Sequence, residues 1–298
     1  MIRRVDFVLN PRAGRGRAAA RAAEAARVLT DAGVSCVIHV PPSPDAAAEV
    51  ARLSARPEAC VVACGGDGTV HWVAQGAVHG PAAFDILPAG TGNDIHSAIH
   101  GDEPDPAAAL VRRILGGAVR SIDVGEASVG TTRRYFLGVC TTGFDSVVNV
   151  RANGMTRGPS AARYVAALAR ELPRMRPRSW IIEHGGRRWT ETGVILAVAN
   201  GGIYGGGMRI SPRFDMSDGL LDITLVRPVG RVRLMALFPS VYTGRHIHRP
   251  EVSTWSTTAI ALDGDPGPVM CDGEFLGMLP VAARILPGAL RVMARAVA

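Results

Sequence analysis

Within the first hundred residues, three short apolar runs each end in a glycine-rich loop. Val5–Leu9 runs into Asn10-Pro11-Arg12-Ala13-Gly14-Arg15-Gly16. Ala59–Ala63 runs into Gly65-Gly66-Asp67-Gly68-Thr69, and Phe84–Leu87 into Pro88-Ala89-Gly90-Thr91-Gly92-Asn93-Asp94. Runs of this length and composition read as buried strands, with Val34–Val40 as a further one. Helical segments stand between them. Arg17–Ala32 is Ala-rich and closed by Gly33, Asp45 caps a helix to about Ala55, and Thr69–Val78 forms another. Such β/α alternation dictates a parallel sheet with helices on its faces. The three loops then share its carboxyl edge, where sheets of this kind bind ligands.

The pattern changes after about residue 122. Strand-like pieces dominate: Ser121–Val129, Arg134–Val139, Trp180–His184, Gly193–Asn200, Leu221–Val226, Thr257–Leu262 and Val269–Asp272. Helices are expected over Ser160–Leu172 and Arg231–Val241. A mostly antiparallel second domain follows, with Val281–Val297 returning to pack on the first. The expected boundaries are 1–122, joined by 284–298, for the α/β domain and 123–283 for the β domain.

The chain has no lysine, so all its basic side chains are Arg or His. That excludes a Walker-type Gly-Lys-Ser/Thr loop, the strand lysine of protein kinases and Schiff-base chemistry. A formal charge of +7 favours anionic partners. The arginines are scattered and aromatic platforms few, so nucleic acid is not expected among them. The five cysteines show no paired spacing, which points to core packing and a reducing, cytoplasmic setting. No apolar stretch reaches the ~18 residues of a membrane span, so membrane contact would be peripheral, at the inner face.

Glycines let backbone approach a ligand closely, and a helix that starts after such a loop offers free N–H groups to phosphate. Asp67 repels phosphate, but it can reach a magnesium ion, a water or a ribose hydroxyl. By itself, Gly-Gly-Asp-Gly reads as well as a plain turn; three loops at one sheet edge point to a polyphosphate. Two acidic clusters lie further on. Asp215-Met216-Ser217-Asp218-Gly219-Leu220-Leu221-Asp222, after Gly205-Gly206-Gly207, suits a hard cation, and is equally an acidic turn. Asp272-Gly273-Glu274 can supply a general base for an alcohol, and is locally also a surface turn. His246 and His248, two apart, would share one face of a strand. His71, His79, His96 and His100 read as helix-surface or loop residues.

With these motifs in place, the chain resembles the diacylglycerol kinase catalytic-domain family, which includes bacterial soluble lipid kinases and sphingosine and ceramide kinases. The matching stretches are NPRAGRGRA (10–18), GGDGTVHWV (65–73), LPAGTGND (87–94), TTGFDSVVN (141–149), GGGMRISPRFDMSDGLLDITLV (205–226) and CDGEFLG (271–277). The resemblance implies an NAD kinase-like α/β domain that holds ATP and a β-sandwich domain that presents the lipid. It implies nucleotide contacts from Asn10, Pro11, Arg12, Ala13 and Gly14, from Gly65, Gly66, Asp67, Gly68 and Thr69, and from Gly90, Thr91, Asn93 and Asp94. Asp215, Asp218 and the Leu220 carbonyl would hold a structural magnesium ion. Glu274 would be the general base, with Asp272 beside it. Catalytic magnesium would lie between Asp67, Asp94 and ATP.

The resemblance thus implies ATP-dependent phosphorylation of a diacylglycerol hydroxyl at an anionic membrane surface, with a homodimer among the compatible assemblies. A sphingosine- or ceramide-type acceptor is the alternative within the family. An NAD kinase-like enzyme with a soluble substrate is the alternative outside it, although the Asp-Gly-Glu and GGGM…DGLLD stretches argue against that.

Overall fold

Val5, Phe7, Val8, Val61, Val62 and Ala63 are fully buried, so the first strands have no polar face to offer water. Strands of that kind must be covered on both sides, which helices do here. The computed structural model describes residues 1–156 and 160–295. It divides into two units: Met1–Val124 with the segment from Pro287 onward, and Gly125–Leu286.

The first unit alternates β1 (Arg4–Leu9), α1 (Arg17–Asp31), β2 (Ser35–His39), α2 (Pro44–Ser54), β3 (Ala59–Gly65), α3 (Asp67–Ala77) and β4 (Ala83–Pro88). The helices α4 (Asp94–His100) and α5 (Pro106–Gly116) follow. The strands pair in the order β2-β1-β3-β4, all parallel. The end of the last strand adds in parallel beside β4, with Val292 opposite Phe84. Helix α1 buries Ala18, Ala22, Ala25, Ala26 and Leu29, a stripe at three- and four-residue spacing, against the sheet. Small alanines let helix and sheet approach closely. Asp45 does not cap α2: Ser43 does, its side chain accepting from Ala46 N at 3.2 Å. Pro44 fits the first helical position because no N–H is needed there, so the cap falls one residue before it; Asp45 stands in the first turn.

The second unit begins within β5 (Val119–Val129). It continues through β6 (Thr132–Phe136), β7 (Val139–Gly143), α6 (Phe144–Asn153), α7 (Ser160–Glu171), β8 (Arg178–His184), β9 (Arg187–Gly193) and β10 (Ile195–Ala199). Then come β11 (Ile203–Tyr204), β12 (Met208–Arg209), β13 (Leu221–Val226), α8 (Arg231–Leu237), α9 (Pro239–Tyr242) and β14 (Val252–Thr257). The chain closes with β15 (Ala259–Gly264), β16 (Pro268–Cys271), β17 (Glu274–Met278) and β18 (Val281–Met293). One antiparallel sheet runs β14-β13-β10-β7-β16-β17, and β9-β8-β15-β18 forms the other layer, with β5 and β6 beside β18. Leu196, Val198, Leu221, Ile223 and Val269 from the first layer meet Trp180, Ile182, Ile260, Leu262 and Val281 from the second. This is a β-sandwich.

Several expected elements are subdivided. Arg134–Val139 is two strands, β6 and β7, separated at Leu137-Gly138. Trp180–His184 continues into a hairpin, because Gly185 (φ 57°) and Gly186 (φ 73°) make the two-residue left-handed turn that twisted strands favour. The expected helix Arg231–Val241 divides before Pro239, which has no N–H to continue the hydrogen-bond ladder. The segment Val281–Val297 is a strand to Met293; Val297 lies outside the described residues.

Candidate active site

At the carboxyl edge of the parallel sheet the three glycine loops touch. Asn10 Nδ2 donates to Thr69 Oγ1 at 3.2 Å, and Asn10 Oδ1 accepts from Arg12 N at 3.1 Å. Gly14 sits at φ 60°, and a Cβ there would fall 2.6 Å from the Ala89 carbonyl oxygen. Pro11, Arg12 and Ala13 ride on this turn, and the Ala13 N–H donates to the Asn10 carbonyl. A Cβ on Gly65 would strike Thr69 Oγ1, and one on Gly90 would lie 2.7 Å from Gly66 Cα. Only glycine lets the loops pack this closely. Asn93, at φ 58°, closes the third loop: Gly90 N donates to its Oδ1 at 2.8 Å. Arg21 of α1 supports the same loop from outside, its Nη1 donating to the Pro88 carbonyl at 2.9 Å.

Asp67 opens α3 and Asp94 opens α4. Asp67 Oδ1 accepts from Ile95 N at 3.0 Å and so ties the second loop to the third. Its other oxygen and an Asp94 oxygen both crowd Gly92, lying 3.1 and 3.3 Å from where a Cβ would stand. Gly68 and Thr91 lie in the same loops. All the unit-one residues expected at the nucleotide are therefore brought together.

In the second unit, Cys271 and Glu274 are paired strand residues joined by Asp272 (φ 49°) and Gly273 (φ 84°). Asp-Gly is the dipeptide that tolerates the left-handed conformation at both central positions of such a hairpin turn. The Asp272 carboxylate accepts from Leu137 N at 3.0 Å, Gly138 N at 2.8 Å and Val139 N at 3.0 Å. The far side of the turn is braced by Asn153 Nδ2, which donates to the Gly273 carbonyl at 2.8 Å. Glu274 is half-buried, and among the described residues no hydrogen bond or ion pair engages its carboxylate. Asp272 therefore holds the turn, and Glu274 presents the available oxygens.

The acidic loop before β13 is more open. Asp215 Oδ1 accepts from Ser217 N and Asp218 Oδ1 from Leu220 N, each at 2.9 Å, so both carboxylates close local turns. Asp222 faces elsewhere, with Oδ1 accepting from Ser256 Oγ at 2.8 Å. Among the described residues, no cluster of three or more His, Cys, Asp or Glu side chains converges in a metal-binding arrangement.

The histidines differ from expectation. His246 and His248 lie in a single tight turn, Arg245–His248, not a strand. His71 and His96 are buried, not surface residues. His96 and His100 belong to a buried ionic cluster with Asp85, Glu103 and Arg113. Arg113 binds Asp85 with Nε at 2.9 Å and Nη2 at 3.0 Å, and its Nη1 donates to Glu103 at 2.6 Å. His100 Nε2 stands 2.9 Å from Asp85, and His96 Nε2 stands 3.3 Å from Glu103. Burial alone would raise the Asp85 carboxyl; His100 and Arg113 reverse that and hold it below its ordinary value. Burial pushes His96 down to about 4, with His100 adding to the shift. The cluster fixes α4, the helix that Asp94 opens. The signal in the sequence was a carboxylate inside an apolar strand, Ala83-Phe84-Asp85-Ile86.

A second buried carboxylate had no assigned part. Asp145, in the stretch 141–149, is 4% exposed and accepts from Tyr164 Oη at 3.2 Å. Burial raises it to about 6, against the pull of Tyr164, Thr141 and Tyr204.

A parallel α/β unit with glycine loops at one edge, followed by a β-sandwich with an acidic hairpin, is the two-part architecture that the lipid kinase family models match. Residues 4–127 match the diacylglycerol kinase catalytic domain, and residues 138–294 match the YegS C-terminal NAD kinase beta sandwich-like domain. The chain belongs to the diacylglycerol kinase family of lipid kinases. A Mycobacterium tuberculosis protein named diacylglycerol kinase is 34% identical over 295 residues, covering 98% of this chain and 95% of that one. A Bacillus subtilis diacylglycerol kinase is 23% identical over 285 residues, covering 94% and 92%. A crystal structure described as a diacylglycerol kinase from Bacillus anthracis shares the fold at a TM-score of 0.71, with 20% identity and coverage of 98% and 96%. Membership of a kinase family implies ATP as phosphoryl donor. Among the described residues, no helix is long and apolar enough to cross a membrane.

Proposed function

We propose that the chain transfers the γ-phosphoryl group of ATP to the free hydroxyl of a diacylglycerol, giving phosphatidic acid. The observation that carries this reading is the Glu274 carboxylate, which is half-buried, without a partner among the described residues, and held by a turn that Asp272 pins with three amides. An alcohol is a poor nucleophile at neutral pH. A carboxylate placed to take its proton as attack proceeds accelerates transfer by about 10²–10⁴-fold. Asp272 acts through Glu274 as a positioning residue.

The donor is held by the first unit. Amides at the start of α3, from Gly66 to Thr69, point at the phosphates, and the Asn10–Gly14 turn and Gly90–Asn93 close around them. Asp67 and Asp94 offer hard oxygen donors side by side, a set that fits a magnesium ion shared with ATP phosphates. When bound, magnesium would neutralise charge on the transferring phosphoryl group. Arg12, Arg15 and Arg17 supply cationic charge where other kinases use lysine. Asp215, Asp218 and the Leu220 carbonyl fit a second, structural magnesium ion, since all three donors are oxygens.

Diacylglycerol resides in the bilayer, so the enzyme works as a peripheral protein at an anionic surface. The test is transfer from radiolabelled ATP to dioleoylglycerol, sphingosine, ceramide and NAD in mixed micelles. Phosphatidic acid is the expected product. Phosphorylation of NAD with none of diacylglycerol would overturn the reading, and preference for sphingosine or ceramide would move it within the family.

A further inference from the structure

From Ile223 to Pro250 there is no carboxylate, while five arginines occur: Arg227, Arg231, Arg233, Arg245 and Arg249. All five are exposed. Arg233 pairs with Glu251 at 2.7 Å, and among the described residues no ion pair engages Arg227, Arg231 or Arg245. The stretch contains α8 and α9. On α8 the inner side chains are Leu234 and Leu237, three apart; Leu234 packs into the cluster that holds Tyr164, Leu168 and Leu172 of the α7 region. The outer side chains are Val232 and Met235, also three apart, 85% and 39% exposed. Tyr242 of α9 is 43% exposed and meets Phe238 edge-on.

We propose that α8 and α9 dock on an anionic membrane surface, with Val232 and Met235 entering the headgroup region between the arginines. Three features select that occupant. Apolar side chains flanked by arginines on a short helix anchored by its other face match an interfacial element. Unpaired arginines are drawn to anionic lipid, each strengthening binding by about fivefold. A tyrosine at the rim suits the interface, where one end of the ring is apolar and the other wet. A second copy of this chain fits poorly. Symmetric docking would set arginines against arginines, with no carboxylate in the stretch to relieve them. Nucleic acid would gain nothing from Val232 and Met235.

This rests on the proposed lipid acceptor only for its purpose, because binding is read without turnover. The full chain, without ATP, is sedimented with phosphatidylcholine vesicles containing or lacking about one-third phosphatidylglycerol. The wild type is expected to bind the anionic vesicles and leave the neutral ones. Val232→Glu should weaken binding about tenfold, Arg231→Glu about fivefold or more, and Val232→Trp should strengthen it. Val232 is so exposed that unchanged melting curves are expected for both of its variants.

Unchanged vesicle affinity in Val232→Glu would overturn the proposal. So would binding to an oligonucleotide duplex that depends on Arg231 while Val232→Glu has no effect on either surface. Vesicle binding that follows these variants, with no transfer to diacylglycerol, would instead defeat the proposed reaction and leave the docking surface standing.

Discussion

Gly66 and Gly90 stand back to back across two loops, so close that a Cβ on Gly90 would fall 2.7 Å from Gly66 Cα and 2.9 Å from Asn93 Oδ1. The contact is backbone against backbone, and a methyl group cannot be absorbed by a side-chain rotation. Gly90→Ala must push the third loop off the second. It is expected to raise KM for ATP at least tenfold while circular dichroism and melting show an intact fold. A KM within twofold of wild type would mean that the loop spacing does not set nucleotide affinity.

Asp272 accepts from three consecutive amides, an arrangement that a neutral amide side chain satisfies only in part. Asp272→Asn is expected to cost about 2–4 kcal/mol of stability, the scale of lost charge-assisted hydrogen bonds, and to lower kcat with KM for ATP unchanged. Urea unfolding and steady-state kinetics check both halves. Loss of stability with full kcat would make Asp272 purely structural.

Asp145 gives a pH dependence with a definite sign. Its folded value, about 6, is above that of an unfolded aspartate because burial disfavours the charge. Its contribution to stability is therefore complete below about pH 4 and lost as pH rises to about 6, on the order of 3 kcal/mol in all. Asp145→Asn does not titrate. The variant's advantage over wild type should grow from pH 4 to pH 6 and stay level above it, as read from melting temperatures across that range. A constant difference would show that burial does not raise the Asp145 carboxyl above its unfolded value.

Arg113 is the only guanidinium bidentate to the buried Asp85 among the described residues, and it also holds Glu103. Arg113→Met takes the shared guanidinium from two buried carboxylates and leaves His100 beside Asp85 and His96 beside Glu103, and breaking a buried ion pair typically costs about 3–5 kcal/mol. The expected result is a lower urea midpoint together with weaker ATP binding, because α4 carries Asp94 into the loop. A stability loss below about 1 kcal/mol would show the cluster to be well hydrated.

What could be read in the sequence was what depends on neighbours along the chain. Buried strands such as Ala59–Gly65 are continuous apolar runs, and glycine marks the places where backbones touch, so the parallel unit and its three loops were legible. Asp272-Gly273 marked its own turn. Chain-distant pairing was not legible. Asp85 meets Arg113 28 residues on, and Asp145 meets Tyr164 19 residues on. Nothing local tells a histidine on α4 that its helix will press it against Glu103, so His96 and His100 read as surface residues. The hairpins β8–β9 and β16–β17 were missed in part because their second strands, Arg187–Gly193 and Glu274–Met278, are half-exposed edges with little apolar pattern.

Glu274→Gln is the most direct measurement, because the two side chains share shape and differ in the ability to take a proton. With radiolabelled ATP and dioleoylglycerol in mixed micelles, kcat is predicted to fall by about 10²-fold or more, with ATP affinity by calorimetry and the melting temperature unchanged. A variant that keeps its kcat within a few-fold of wild type would contradict the assignment of Glu274 as the proton acceptor.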